Sequence, residues 1–482
     1  MKTVRRFDPA ELQGNILRGY RRGLVRYVVL EVIEPQAARR WLARAASGGD
    51  GQVPAITPER SWAQRPDYCF NLGLSFAGLR AFGLSEAMLA QFPGEFAQGM
   101  AQRAVKLGDV GTSAPAHWPA PFDQPDRLHV VAAIYADHAA HLDAVQRLLA
   151  NGDAARGLLV LGVRDGANFD RDYVHFGYRD NISQPRFAEI AQHADLGEPI
   201  APLGMALLGH SSGLEGVEWR VPQPEMLGHN GCFNAFRILA QDVAGFEDYL
   251  DQAASMLQAD PRGSILLPPG NEALIGAGLT RHAALREIVA GALCGRWRNG
   301  VPLALSPDTP DPEPAVSLTA FDYDDDRRCP VGAHIRRSNP RGGPIVQRVA
   351  RHTRRLIRRG MPYGPRFERD RPDAIERGLL GNFIGASLGA QFEAVMYDWV
   401  NLGLQDPRIT GSNDPILGVN DPATSWFTLP LPNGDAIRLT GLPRFVSTRG
   451  GAYLFVPSLP ALQFLGGAGL EPDIRSARHT LL

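Results

Sequence analysis

The sequence predicts an α+β fold made of two split β-α-β units, each a sheet with helices on one face. Three observations predict it: short β-branched runs followed by amphipathic helical segments, four such pairs along the chain, and a Pro- and Gly-rich break between the second and third. The first pair is a strand over 25–32 (VRYVVLEV) and a helix over 36–46. The second is a strand over 128–135 (LHVVAAIY) and a helix over 138–149, with Asp137 as its predicted N-cap. The third is 232–239 (CFNAFRIL) with a helix over 242–256, and the fourth is 452–456 with a short helix around 458–465. The break at 222–231 (PQPEMLGHNG) divides the chain into domains at 1–222 and 223–482. A doubly wound parallel sheet is the second architecture compatible with this alternation.

Composition narrows the function. Lys and Arg number 50 against 51 Asp and Glu over 482 residues, with 44% hydrophobic and 21% charged residues, an ordinary globular balance. A protein that neutralises nucleic-acid phosphates carries a cationic surplus, and this chain has none. The 52 Gly and 38 Pro point to long ordered loops rather than low complexity. Cys69, Cys232, Cys294 and Cys329 are widely spaced, without the pairs of a zinc site or a disulfide scaffold. Arg5 and Arg6 near the start are not followed by an apolar export segment, and no apolar stretch has the roughly 18 residues of a membrane span. The expectation is a cytoplasmic protein with no membrane or nucleic-acid partner.

Several motifs have chemical readings. Gly209-His210-Ser211-Ser212-Gly213 matches the G-x-S-x-G nucleophile elbow after an apolar run at 205–208, making Ser211 a candidate hydrolase nucleophile. The Pro222- and Pro224-containing sequence that follows is a poor helix, so a turn is the competing reading. Asp165 and Asp180 stand in nearly the same Gly-rich frame, and each reads on physics alone as a turn. His334 stands in CPVGAHIRRSNPR (329–341) among arginines, which disfavour its protonated form and suit a metal ligand or an anionic cofactor. The run RRLIRRGMPYG (354–364) reads as a solvated helix face, the acidic stretch 306–314 as a surface loop, and Asp324 to Asp326 as a calcium loop without its alternating ligands.

Taken in order, these segments resemble the dye-decolorizing peroxidase family, haem enzymes with two ferredoxin-like domains. The resemblance runs through ELQGNILRGY (11–20), HFGYRDNISQP (175–185), GRWRNGVPLALSPD (295–308), CPVGAHIRRSNPR, LIRRGMPYG (356–364), GASLGAQFEAVMYDWVN (385–401) and FVSTRGGAYLFVPSLPAL (445–462), nearly the whole chain. The length and the CP-x-x-AHIRR-x-NPR string look like the longer branch of the family. The resemblance implies antiparallel sheets with peripheral helices and one haem b per chain. Its substrates would be hydrogen peroxide, reduced through a ferryl haem, and an organic electron donor such as a dye or phenol, oxidised in single-electron steps.

Carried over residue by residue, the resemblance makes His334 the proximal iron ligand, Asp180 the distal acid–base and Arg358 the distal cation. The N-terminal domain would carry Asp180, and the C-terminal domain His334 and most of the haem pocket. Asp414 would accept the second ring proton of His334, and Arg341 would pair with a haem propionate. A carboxylate base has an ordinary pKa of about 4, so activity is expected to favour acid pH unless burial raises it. Trp399 and Tyr397 read as core packing, with electron transfer from bulky donors as the functional alternative. Three departures stand out. Asn181 replaces the family's Gly after the distal Asp, in a turn that Asn can still adopt. Asp165 has the literal G-x-x-D-G frame without the trailing ISQP and is a decoy. Gly381, Asn382, Phe383 and Ile384 replace the usual apolar and aromatic distal wall. The alternatives to a peroxidase are a haem-binding protein with weak turnover and a serine hydrolase using Ser211.

Overall fold

The computed structural model describes residues 7–190, 199–213, 217–343 and 354–468. Strands β1 (Leu24–Val32), β2 (Tyr68–Leu74), β3 (Val130–Ala136) and β4 (Leu158–Ala167) precede residue 222. Strands β5 (Cys232–Gln241), β6 (Ile357–Arg358), β7 (Met361–Tyr363), β8 (Gly378–Gly385), β9 (Trp426–Pro430), β10 (Ala436–Thr440) and β11 (Val446–Val456) follow it. Among the described residues nine strands form one sheet in the order β4-β1-β3-β2-β11-β5-β8-β6, with β7 also on β8, while β9 and β10 form a separate hairpin. Every strand pair is antiparallel, which removes the doubly wound alternative. Numbered within its own half, each set of four runs 4-1-3-2, the order of a ferredoxin-like split β-α-β unit.

The halves meet between β2 and β11 through the single register pair Leu74↔Phe455. Gln13 staples this thin seam. Its Nε2 donates to Leu72 O and Pro457 O, both at 2.9 Å, and its Oε1 accepts from Leu72 N at 2.8 Å. The sheet is also rolled. Tyr27 on β1 meets Phe236 on β5 with ring centroids 4.8 Å apart, and a Cβ on Gly166 of β4 would lie 2.9 Å from the Pro362 carbonyl of β7. The inner face carries Tyr27, Tyr135, Asn234, Phe236 and Asn382, and helices cover the outer one.

The helices start where their caps allow. Glu34 accepts from the N–H groups of Gln36 and Ala37 at the head of α1 (Pro35–Ala46), whose Pro35 needs no donor there. Trp41 and Leu42 of α1 pack in the same core as Phe70, Leu72 and Ile134 of the sheet. Asp242 caps α3 (Val243–Ala259) and Thr280 caps α4 (Arg281–Cys294), and these two helices build the second core. Asp137 does not cap α2 (Ala139–Leu148), contrary to expectation. It accepts instead from Gly23 N at 3.1 Å and Arg22 Nη1 at 2.6 Å, because the strand end turns it toward β1. The apolar run at 205–208 is no strand either, since a 3-10 turn, Leu203–Met205, occupies its start.

Candidate active site

His334 opens a short helix, α5 (His334–Ser338), fixed by the arginine one turn later. Arg337 is 1% exposed and donates to Gly332 O at 3.0 Å, Trp399 O at 3.2 Å, Ser412 O at 3.0 Å and Ser412 Oγ at 2.6 Å. These bonds tie α5 to the chain leading to Asp414. His334 Nδ1 then lies 3.0 Å from Asp414 Oδ2, while Asp414 Oδ1 accepts from Ile416 N and Leu417 N at 2.9 and 2.8 Å.

Electrostatics hold the pair together. Burial raises the Asp414 pKa, but the His334 ring, Arg337 and the loop N–H groups outweigh it and hold the carboxyl below its ordinary range. An ionised carboxylate only accepts, so the hydrogen between the two groups sits on Nδ1. Among the described residues Nε2 makes no hydrogen bond, so its lone pair is available to a metal once the ring is in the neutral form that metal ligation requires. Burial likewise disfavours the imidazolium, yet Asp414 raises the His334 pKa overall. This corrects the reading of a histidine disfavoured by neighbouring cations. Arg336 is bound to Asp326 and Cys329 O, and Arg337 turns into the core, so neither faces the ring. A partly buried imidazole oriented by a carboxylate, with Nε2 open, fits a haem-iron ligand.

Asp180 and Arg358 are both near enough to act electrostatically on His334. Arg358 Nη1 is 3.9 Å from Asp180 Oδ1, and both side chains are 43% exposed. Asn181 follows Asp180 at φ +57°, the left-handed conformation for which the missing Gly would have served, and its Nδ2 donates to Asp172 Oδ1 at 3.1 Å. Asp180 N donates to Asp172 O at 2.8 Å. Asp172 is therefore a brace of the acidic turn that the motif alone did not reveal. By sequence Asp180 precedes residue 222, but Phe176 and Tyr178 pack in the core of the second half, and Tyr178 Oη donates to Ala290 O of α4 at 2.7 Å.

Arg358 lies on β6 opposite Phe383 of β8, and cross-strand neighbours share a face. Phe383 and Gly381 therefore face the site, while Asn382 and Ile384 turn to the inner face. The four-residue departure from the family wall thus alters the site at two positions only. The arginine run is no solvated helix face. Arg354 pairs with Asp398 at 2.8 Å, Arg358 Nη2 donates to Ser183 O at 3.1 Å, and Arg359 is bonded into the roll. Its members alternate across a strand edge.

The remaining expected residues divide. Arg341 is buried at φ +38°, with Nη1 donating to Thr319 O and Phe321 O at 2.8 and 3.0 Å and its guanidinium 3.9 Å over the Phe321 ring. Trp399 is buried, as packing requires, whereas Tyr397 is 40% exposed and is not core. Asp165 sits inside β4, bound by Arg26 at 2.8 and 2.7 Å, which removes it from any site and corrects the turn reading. Ser211 stands on an exposed turn, its Oγ accepting from Gly213 N at 3.3 Å, and the adjacent His210 Nε2 is 2.6 Å from Asn230 Oδ1. Among the described residues no strand leads directly into it and no helix directly follows it, so the elbow geometry that would make Ser211 a nucleophile is not seen. The four cysteines are buried and unpaired, and burial raises all their thiol pKa values.

No family model matches the chain. It is 28% identical to Peroxidase 2 of Mycetinis scorodonius, over 94% of this chain and 86% of that one. Identity is 26% to a multifunctional dye peroxidase of an Amycolatopsis species, over 94% of this chain and 95% of the relative. Among solved structures, a dye-decolorizing peroxidase in complex with 2,6-dimethoxyphenol superposes with a TM-score of 0.78 at 26% identity, over 95% of this chain and all (100%) of that one. A cyanide complex gives 0.77 at 25% identity, over 96% and 100%. Along nearly its whole length, in fold and in its ordered motifs, the chain is similar to dye-decolorizing peroxidases.

Proposed function

We propose that the protein holds one haem b per chain on His334, reduces hydrogen peroxide at that haem, and oxidises organic donors of the dye or phenol class in single-electron steps. The observation that carries this reading is the His334–Asp414 pair at 3.0 Å with Asp180 and Arg358 near enough to act electrostatically on the ring. Haem would supply the iron that binds peroxide and would store the two oxidising equivalents taken from it, which two electrons drawn singly from donors discharge. The chain supplies the rest. Asp414 fixes the imidazole and makes Nε2 more electron-donating. A carboxylate oxygen of Asp180 takes the peroxide proton and returns it to the outer oxygen, which leaves as water. Arg358 stabilises the negative charge that develops as the O–O bond breaks. Arg341, beside Phe321, would hold a propionate.

The boundary between the ferredoxin-like domains falls after residue 222 in this reading, with the 175–185 segment crossing to serve the second domain. Four unpaired cysteines support a reducing, cytoplasmic setting, and among the described residues no helix is long and apolar enough to cross a membrane. The absorption spectrum of Asp180→Asn tests the assignment. The variant is expected to keep the Soret band of the wild type and to lose its rapid change on adding peroxide. Wild-type rates in that variant would remove Asp180 from the mechanism.

A further inference from the structure

Arg358 is held on a very short strand. β6 is two residues long and pairs with β8 only at Ile357↔Ile384 and Arg358↔Phe383. Two ladder positions at a sheet edge fix little of the register, and on the open side Gln184 adds to them, its Oε1 accepting from Arg358 N at 3.2 Å and its Nε2 donating to Arg358 O at 3.0 Å. The next residue holds the strand from the other face. Arg359 points to the inner face of the roll, where Nε donates to Asn15 O and Nη2 to Ile16 O, both at 2.9 Å. Its own backbone is locked to β8, with Arg359 N donating to Asn382 O at 3.0 Å and Asn382 Nδ2 to Arg359 O at 3.1 Å.

The far side of the same loop is held by an opposite charge. Glu59, 3% exposed, accepts from Ile16 N at 3.0 Å, Leu17 N at 3.2 Å and Arg18 N at 2.8 Å. Asn15 O and Ile16 N belong to one peptide group, and Ile16 O and Leu17 N to the next. Two successive peptide planes therefore lie between a cation and a buried anion, each with its oxygen toward Arg359 and its N–H toward Glu59. Burial opposes both charges, pushing the Glu59 pKa up to about 7 and pulling Arg359 down to about 10. The two charges favour each other across the peptides, and Arg18 adds to the anion's side with its Nε 3.7 Å from Glu59 Oε1. Asn15 at φ +64° and its Oδ1, accepting from Tyr20 N at 3.0 Å, hold the loop in shape.

We infer that Glu59, the 15–17 peptides and Arg359 form a clamp on the inner face of the sheet that positions Arg358 on the outer face for peroxide activation. Glu59 and Arg359 are positioning residues, and the inference rests on the role proposed above for Arg358. Loosening the clamp leaves His334 and Asp414 untouched but frees β6 to shift, and misplacement of a charge-stabilising group by about an ångström costs on the order of a hundredfold in rate.

Glu59→Gln and Arg359→Lys test it, with Arg358→Leu as reference. In haem-loaded protein both clamp variants are expected to keep the Soret band and the donor KM. The peroxide-driven spectral change should slow about tenfold to a hundredfold, and fluoride, which accepts a hydrogen bond from a distal guanidinium, should bind several-fold more weakly. Amide exchange, which needs no haem, should quicken at 356–361 while 334–338 stays unchanged. Two variants guard against one failing to fold. Wild-type peroxide rates and wild-type exchange at 356–361 in the folded variants overturn the clamp. A silent Arg358→Leu overturns the proposed role of Arg358 instead, and exchange at 356–361 then still decides whether the clamp holds β6.

Discussion

The two halves of the sheet share a strand order and differ in their second strand. In the first half that strand is β2, seven residues paired along their length with β3 and half of the seam between the halves. In the second half it is broken into β6 and β7, of two and three residues, at an open edge. The first half uses its backbone groups on itself and becomes scaffold. The second leaves an edge whose aim must be set from elsewhere, and there Arg358 stands. Insertions sharpen the contrast: only 35 residues separate β1 from β2, whereas the chain from β5 to β6 is long enough to carry α3, α4 and the His334 helix. The same topology thus gives a rigid half and a half that can hold chemistry.

Breaking the second half should have the largest effects. His334→Ala is expected to abolish stable haem uptake, read as loss of the Soret band and of iron in the purified protein. Arg358→Leu or Asp180→Ala should keep haem and slow the peroxide step by about a hundredfold to ten-thousandfold, followed by stopped-flow absorbance. Asp414→Asn should lower activity or haem affinity by about tenfold to a hundredfold, because the ring loses its orienting acceptor.

In the first half the expected effects are on stability, and smaller. Gln13→Ala leaves buried seam carbonyls unpaired and should cost about 1–3 kcal/mol in denaturant unfolding, with the peroxide rate per bound haem unchanged. A pH dependence sharpens the comparison from the seam outward. Burial raises the pKa of the wholly buried Glu393, but Arg103 at 2.8 Å, Tyr453 Oη at 3.0 Å and Lys106 at 3.2 Å bring it below the ordinary value. A carboxyl depressed in the fold contributes stability above its unfolded pKa, near 4.5, and loses it as pH falls through its folded value. Melting temperatures of wild type and Glu393→Gln are therefore expected to differ at neutral pH and to converge in acid. A constant gap down to low pH would remove Glu393 as the source.

Strand–helix periodicity revealed the long, regular elements, and β1, α1, β5 and α3 lie within a few residues of expectation. β2, β4 and β8 were not legible by that route, because their Gly, Asn, Arg and Asp residues are paid for by partners distant in sequence, as Asn382 is by Tyr27 and Asn234. At the site, His334, Asp180, Arg358 and Asp414 came from ordered motifs, and the geometry brings them together. Arg337, Asp172 and Glu59 were invisible, since a buried arginine or glutamate reads in sequence as surface charge until its carbonyls and N–H groups are in place. The same misreading made 354–364 a solvated helix.

On the function proposed above, His334 would hold haem iron through Nε2 while Asp180 and Arg358 act on peroxide. The most direct test is the absorption spectrum of protein made in haem-sufficient cells, before and after one equivalent of hydrogen peroxide, for wild type and Arg358→Leu side by side. A strong Soret band is expected in both, shifting within seconds in the wild type and far more slowly in the variant. A Soret band that peroxide merely bleaches, at the same rate in both, would contradict it.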